Sequence, residues 1–514
     1  MVDQSKSGSA APSRWGNAAL TLVAIVFGLL AGEVFARIVD DRGVFGEPMY
    51  FGTPQVVPVD SYIATIEAGR KSVGELWKRS PPPLPNRRPL EKEDVKRMEE
   101  FGNQAIDLGP AGQLTSAELF KVWNANLMAD ACHHTVLKHL TRWPLDVFDP
   151  PGGGDRPRYR YRPNATLPIG LVTNQIGWRG KPIEEARPGT IRIVFVGAST
   201  IAEAGNIPWS APELIDDWLN AWAAERGLGV KFEVLNAGRE GMSTTDVVAV
   251  VRDEVVPLRP DLVIFYEGAI SFDWSSTVEN AAALKALPRP QYEDSAGWVA
   301  MAARSSSLYA HVLAGLGDAG LSIGRVGEAP KPSYTIAWPK GLDEKDPDIG
   351  RQDLPLNLTT ILGDFDAMRK ELSTVGADFA LSSFLWLVHD DLKVDPVKGR
   401  YIWTTNNQIY WPWTYHDIRR GLDFENRAYR KFAQSRGIPF FDVAGLVAAE
   451  PLLFADGVHM TQSGVRVKAW AFFRELLPLV EQRLASRTWP RQKPNAGLPT
   501  YDVRRQSIQC GQGR

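Results

Sequence analysis

Cysteine is nearly missing: Cys132 and Cys510 are the only two in 514 residues. That excludes a disulfide framework and makes two unpaired thiols the simpler reading. Charge of either sign in excess is missing too. The formal net charge is -2, and no basic cluster with interleaved aromatics stands out, so no nucleic-acid partner is indicated. No internal repeat at a period of roughly 20–50 residues is visible, which excludes solenoids and propellers. Histidine is scarce. Cys132, His133, His134 and His139 lie close together, but their spacing fits no standard zinc signature, and neither a metal nor a cofactor is expected. What is plentiful is apolar residue, at 44%, ample for a globular core in a chain long enough for two or three domains.

There is one long hydrophobic run, AALTLVAIVFGLLAG at 18–32. A membrane-spanning helix needs about 20 predominantly apolar residues, and Asn17 to Ile38 meets that length if Glu33 lies near the far interface. The alternative is the apolar region of a cleaved signal peptide. No small-residue cleavage site and no lipid-accepting cysteine follow, so an uncleaved signal anchor over 17–39 is expected. Lys6 and Arg14 precede the span, and Asp40 and Asp41 follow it. The positive-inside rule then leaves 1–16 in the cytoplasm and the bulk of the chain outside.

The stretch that organises the remainder is IRIVFVGAST, 191–200. A brief run of apolar, largely β-branched residues reads as a buried strand over 191–196. Gly197 and Ala198 then allow a sharp turn, placing Ser199 just past the strand's carboxyl end, where open α/β sheets bind ligands. Ser199 can be a nucleophile there if a base reaches it. The same residues also suit a plain strand-to-helix turn capped by Ser199 or Thr200. Far downstream, FADGVHMTQSG at 454–464 carries Asp456 and His459 in a polar turn. One loop can thus supply both the imidazole that takes a hydroxyl proton and the carboxylate that orients it.

Together these stretches resemble the SGNH/GDSL hydrolases, in their bacterial membrane-anchored branch. Gly197-Ala198-Ser199 stands where that family has Gly-Asp-Ser. Asn236-Ala237-Gly238-Arg239-Glu240-Gly241 resembles the second block, and Asp456-Gly457-Val458-His459 the last. The third block departs from the pattern: in Gly268-Ala269-Ile270-Ser271, Ile270 replaces the oxyanion asparagine. Thr173 to Gly180 looks like the lead-in of the same branch. The resemblance covers roughly 160–485. It implies Ser199 as nucleophile, His459 as base and Asp456 as its orienter, with the N–H groups of Ser199 and Gly241 as the oxyanion hole. Ser271 or Asn206 could replace the missing donor. It also implies an esterase working through an acyl-enzyme, and the outward-facing anchored location, more than any residue, points to O-acyl groups of cell-envelope polysaccharide or related esters as its substrate. The alternatives are an O-acetyltransferase and a catalytically impaired carbohydrate-binding protein.

Strand-like runs at 191–196, 232–236, 262–267, 378–385 and 438–443 alternate with helix-like runs near 211–225, 244–257, 357–374, 421–435 and 465–484. Such alternation predicts a parallel sheet with helices on both faces. The expected class is α/β, a flavodoxin-like three-layer sandwich, preceded by a transmembrane helix and a mixed pre-domain. The hydrolase-like domain is placed at 190–485, with an insertion at 272–356. Residues 40–189 form linker and pre-domain: a proline-rich spacer over 40–90, a helical pattern over 91–145 and a loop over 149–158. The polar tail, 486–514, is expected to be disordered. Residues 401–415, YIWTTNNQIYWPWTY, bring Trp403, Trp411 and Trp413 toward the catalytic rim. Exposed, these indoles would suit sugar rings or acyl chains; buried, they would be core. They are expected to bind substrate.

Overall fold

The computed structural model describes residues 14–39, 57–82, 143–149, 163–164, 172–185, 188–203, 209–239, 241–290, 306–309, 311–312, 327–394, 399–491, 498–499 and 502–508. The helical pattern expected over 91–145 lies outside them except at 143–145, and the loop expected over 149–158 except at 149, and both exceptions are corrected because residues 143–149 form a strand. The cysteine–histidine cluster and Asn206 also lie outside them. The chain divides into two compact units, the smaller made of 1–48, 293–326 and 395–397.

Within the smaller unit, helix α1 (Arg14–Val39) contains Asn17–Arg37, long and apolar enough to cross a membrane, with mean hydropathy 2.2. Glu33 on this helix is not left unpaired. Its carboxylate accepts from Arg37 Nε at 2.6 Å, Ser306 Oγ at 2.7 Å, Ser307 N at 3.1 Å and Leu308 N at 3.0 Å.

The larger unit is built on five parallel strands. They are β2 (Thr190–Gly197), β3 (Lys231–Asn236), β4 (Leu262–Tyr266), β5 (Asp378–Ser382) and β6 (Phe440–Phe441). A parallel sheet covered on both faces favours near-continuous apolar strands, and in β2 every residue after Thr190 is buried, including Arg192, which pairs with Glu233 of β3 at 2.5 Å. The spatial order is β3-β2-β4-β5-β6. This is the flavodoxin-like order, whose direction of progression reverses between β2 and β4, the switch point where such sheets bind ligands. Gly197 pairs with Tyr266, and Phe195 with Asn236. That register brings the loops after β2, β3 and β4 to one rim.

The faces are set by alternation along each strand. Tyr266 packs edge-on to Phe472, 5.4 Å between ring centres, beneath helix α8 (Gln462–Ala485). Phe265, one residue earlier, meets Phe365 at 4.8 Å on the opposite side. Helix α4 (Ala211–Glu225) joins α8 on the first face through the Trp218–Trp470 contact at 5.3 Å. Helices α5 (Thr244–Val250), α6 (Leu358–Ser373) and α7 (Tyr415–Arg436) cover the second. Phe365 of α6 also contacts Tyr429 and Phe432 of α7. Truncating a ring so placed costs about 3–5 kcal/mol.

Two expectations are corrected. Residues 57–80 are not a free spacer. Helix α2 (Asp60–Glu67) buries Ile63 and Ile66, which are spaced three apart on one face. Its Glu67 accepts from Trp470 Nε1 of α8 at 2.8 Å and pairs with Arg474 at 3.0 Å. Arg466 then donates to the carbonyls of Trp77 at 2.5 Å and Arg79 at 2.7 Å. The expectation of a disordered tail is corrected over 502–508: β7 (Asp502–Ile508) pairs antiparallel with β1 (Trp143–Asp149). A ladder of this kind is made by backbone groups, so a polar side-chain composition does not exclude it. Part of the insertion folds back on the domain. Over 327–356 it sets Trp338 against Phe424 of α7 at 5.1 Å, and Asp346 against Lys431 at 2.5 Å.

Candidate active site

Strand β2 delivers its last residue, Gly197, against the neighbouring strand. Its φ is 155°, and a Cβ there would meet the Tyr266 carbonyl oxygen at 2.1 Å, so only glycine fits. Ala198 is buried and extended. Ser199 then opens a one-turn helix, α3 (Ser199–Ala202).

The partner loop is folded by its own aspartate. Asp456 Oδ1 accepts the N–H of Val458 and of His459, each at 2.8 Å. Its Oδ2 lies 2.7 Å from His459 Nδ1. Gly457 fits closely, because a Cβ would meet Asn406 Oδ1 at 2.7 Å. His459 Nε2 lies 2.8 Å from Ser199 Oγ. Burial works to raise the Asp456 carboxyl, but the adjacent imidazole and the two N–H groups outweigh it and hold it below its ordinary value. The group is therefore an anion at neutral pH. An ionised carboxylate only accepts, so Nδ1 carries the ring proton and Nε2 turns its lone pair to the serine. The structure thus brings together Ser199, Asp456 and His459 in the geometry of a nucleophile, a base and an orienting acid.

The N–H of Ser199 stands at the first position of α3, and the N–H of Gly241, whose φ is 66°, lies in the turn beyond β3. Neither donates to another group among the described residues. The loop after β4 is different. Glu267 turns its carboxylate back under this loop and accepts from Ala269 N at 2.6 Å and Ile270 N at 2.5 Å. Burial pushes this carboxyl up to about 7, although these N–H groups and that of Gly268 pull the other way. Glu425 lies nearby, and burial with no countercharge raises it strongly as well. The Ile270 side chain is 45% exposed and has nothing to donate. Ser271 is corrected as a substitute donor: its buried Oγ accepts from Thr244 N at 2.8 Å and turns its own hydrogen to Thr244 Oγ1 at 3.4 Å, at the entry to α5. Sequence reasoning missed Glu267. Its only signal is an acid set between an all-apolar strand and a glycine.

The aromatic stretch is placed otherwise than expected. Trp403, Trp411 and Trp413 are all buried. Trp403 Nε1 donates to the Gly327 carbonyl at 2.9 Å, Trp411 lies under Lys331, and Trp413 packs on Trp274 and Tyr334. The expectation of a substrate platform made by these three rings is therefore corrected: they fill space between the insertion and the sheet rim. Residues 405 and 406 instead back the acid turn at Gly457. Among the described residues, no group of three or more His, Cys, Asp or Glu side chains could hold a metal.

No protein-family model matches the chain, and no curated protein matches it. Among solved structures it is similar to a GDSL-like lipase from Bacteroides thetaiotaomicron, at 12% identity, covering 59% of this chain and 93% of that one with a TM-score of 0.27. It is also similar to an acetyl xylan esterase, at 14% identity over 56% of this chain and 100% of that one, TM-score 0.29. An acetylxylan esterase from Geobacillus stearothermophilus is 14% identical over 56% of this chain and 94% of that one, TM-score 0.30.

Proposed function

We propose that the protein is a serine esterase of the SGNH type that works through an acyl-enzyme. The observation that carries this reading is the relay from Asp456 through His459 to Ser199 Oγ, with contacts of 2.7 and 2.8 Å. Ser199 Oγ attacks the ester carbonyl while His459 Nε2 accepts its proton. The N–H groups of Ser199 and Gly241 receive the oxyanion. His459 then returns the proton to the leaving alcohol, and water, deprotonated by His459, releases the acid.

The substrate follows from placement. An apolar helix at 17–37 preceded by Lys6 and Arg14 supports a single-pass anchor in the bacterial inner membrane, with the catalytic domain on the periplasmic side. An esterase there meets O-acylated cell-envelope polysaccharide. A second reading is O-acetyl transfer to a sugar hydroxyl. In the loop after β4 the amides serve Glu267, and Ile270 offers no donor. Loss of one oxyanion donor costs about 10²–10³ in rate, and hydrolase and transferase share the acyl-enzyme and differ only in whether water or a sugar hydroxyl accepts the acyl group.

The test is a fluorophosphonate probe with a p-nitrophenyl acetate assay, run with and without an oligosaccharide acceptor. Labelling at Ser199 that vanishes in Ser199→Ala supports the esterase. Faster nitrophenol release with acceptor selects the transferase. Folded protein that does not label overturns both.

A further inference from the structure

A one-turn helix is a poor platform for a nucleophile. Four residues give no cooperative stability of their own, and the carbonyls at a helix end have no partner within the helix. In α3 those carbonyls belong to Thr200, Ile201, Ala202 and Glu203, and the chain leaves through Glu203 with a φ of 45°. Each is met by a side chain from elsewhere. Lys468 Nζ donates to Thr200 O at 2.6 Å, and Asn236 Nδ2 donates to Ile201 O at 2.7 Å. Arg179 Nη1 donates to Ala202 O at 3.2 Å and also to Glu203 O. The donors come from α8, from the end of β3 and from the segment before β2.

We propose that Lys468, Asn236 and Arg179 are positioning residues, which fix Ser199 Oγ within reach of its base by gripping the four carbonyls beneath it. This rests on the nucleophilic role of Ser199 proposed above. Burying two cations is costly unless each is paired, and each has its counter-ion. Lys468 lies 2.5 Å from Glu203 Oε1, and Arg179 lies 3.2 Å from Glu213 Oε2. Glu203 in turn accepts from Ala211 N at 2.6 Å, tying the exit of α3 to the start of α4. Lys468 stands on α8, whose entry turn carries His459. One rigid helix therefore fixes both the base and the floor under the nucleophile, and so the 2.8 Å gap between Nε2 and Oγ. A displacement of about 1 Å at such a contact costs on the order of 10² in rate.

The test must separate positioning from simple stability. Lys468→Met alone leaves Glu203 unpaired in the interior, so the informative variant is Lys468→Met combined with Glu203→Gln, which removes both charges. Asn236→Asp is the second variant: it keeps the acceptor for Gly238 N and removes the donor to Ile201. Three quantities are measured on the full chain: the melting temperature, the fluorophosphonate labelling rate with kcat and KM for p-nitrophenyl acetate, and hydrogen exchange of peptides covering 199–203. We expect the double variant to melt within a few degrees of the wild type. It labels on the order of 10- to 100-fold more slowly, with kcat reduced, KM unchanged and exchange over 199–203 accelerated. Asn236→Asp shifts labelling and exchange in the same directions, and it decides the matter if the double variant does not fold. Wild-type labelling and exchange in folded variants would overturn the proposal. If the wild type itself never labels, the esterase reading fails, and the exchange measurement alone decides whether these side chains hold the turn.

Discussion

Glu267 gives the sharpest test of the site's electrostatics. Its carboxyl is buried beneath the loop after β4 and raised from an ordinary 4.5 to about 7. The folded protein therefore keeps a proton that the unfolded chain releases above pH 4.5. Stability must then fall as pH rises from 4.5 through 7, and level off beyond about pH 8. A tenfold change in proton affinity corresponds to about 1.4 kcal/mol, so the loss attributable to Glu267 is about 3 kcal/mol. Glu267→Gln has nearly the same shape. Its amide oxygen can accept the N–H groups of Ala269 and Ile270, and its NH2 replaces the acid's O–H. The variant should match the wild type near pH 5 and exceed it by about 3 kcal/mol near pH 9. Glu425 titrates with the same sign, and removing the neighbouring charge also eases its ionisation, which reinforces the gap. Urea unfolding at unit steps from pH 5 to pH 9 measures it. Parallel curves for the two proteins, or a gap that narrows with rising pH, would refute the assignment of a strained carboxyl to this loop.

Ile270→Asn places an amide where the side chain is exposed, and should raise kcat by at most about 10²-fold with little change in KM; unchanged turnover would mean that two donors already suffice. Gly197→Ala forces a Cβ onto the Tyr266 carbonyl at 2.1 Å and should cost about 3 kcal/mol or more, read by calorimetry, with loss of Ser199 labelling; a near-neutral result would show that β2 and β4 can separate at this end. A reporter active only in the periplasm, fused at the C-terminus of the full chain, should be active, whereas activity of a cytoplasm-only reporter would reverse the topology.

The sheet was legible because apolar residues dominate each of its longer strands, even though β2 carries Arg192 and β3 carries Glu233. Helices α4, α6 and α8 begin and end within three residues of their sequence limits because caps and spacing mark them. Ser199, Asp456 and His459 could be paired on paper because each lies at a strand end or in a polar turn next to a helix. The residues beneath them could not. Lys468 sits in VRVKAW, where a lysine reads as a solvated helix position, and only the tertiary fold turns it inward. Trp403, Trp411 and Trp413 read equally well as platform or core, since period and composition do not say which side of a loop faces water. The packing of 57–80 on α8 joins residues about 400 apart in sequence, beyond the reach of any local pattern.

The separation of Ser199 from His459 has a consequence for the life of the chain. The two are 260 residues apart, and the base arrives just ahead of the last long helix. At about 5–20 residues per second of synthesis, the serine is made roughly ten to fifty seconds before its partner exists. Until α8 docks, the turn that carries Ser199 also lacks Lys468. On the esterase reading proposed above, any copy cut short before residue 459 would lack the base and stay unreactive. The order of the residues is itself a safety catch.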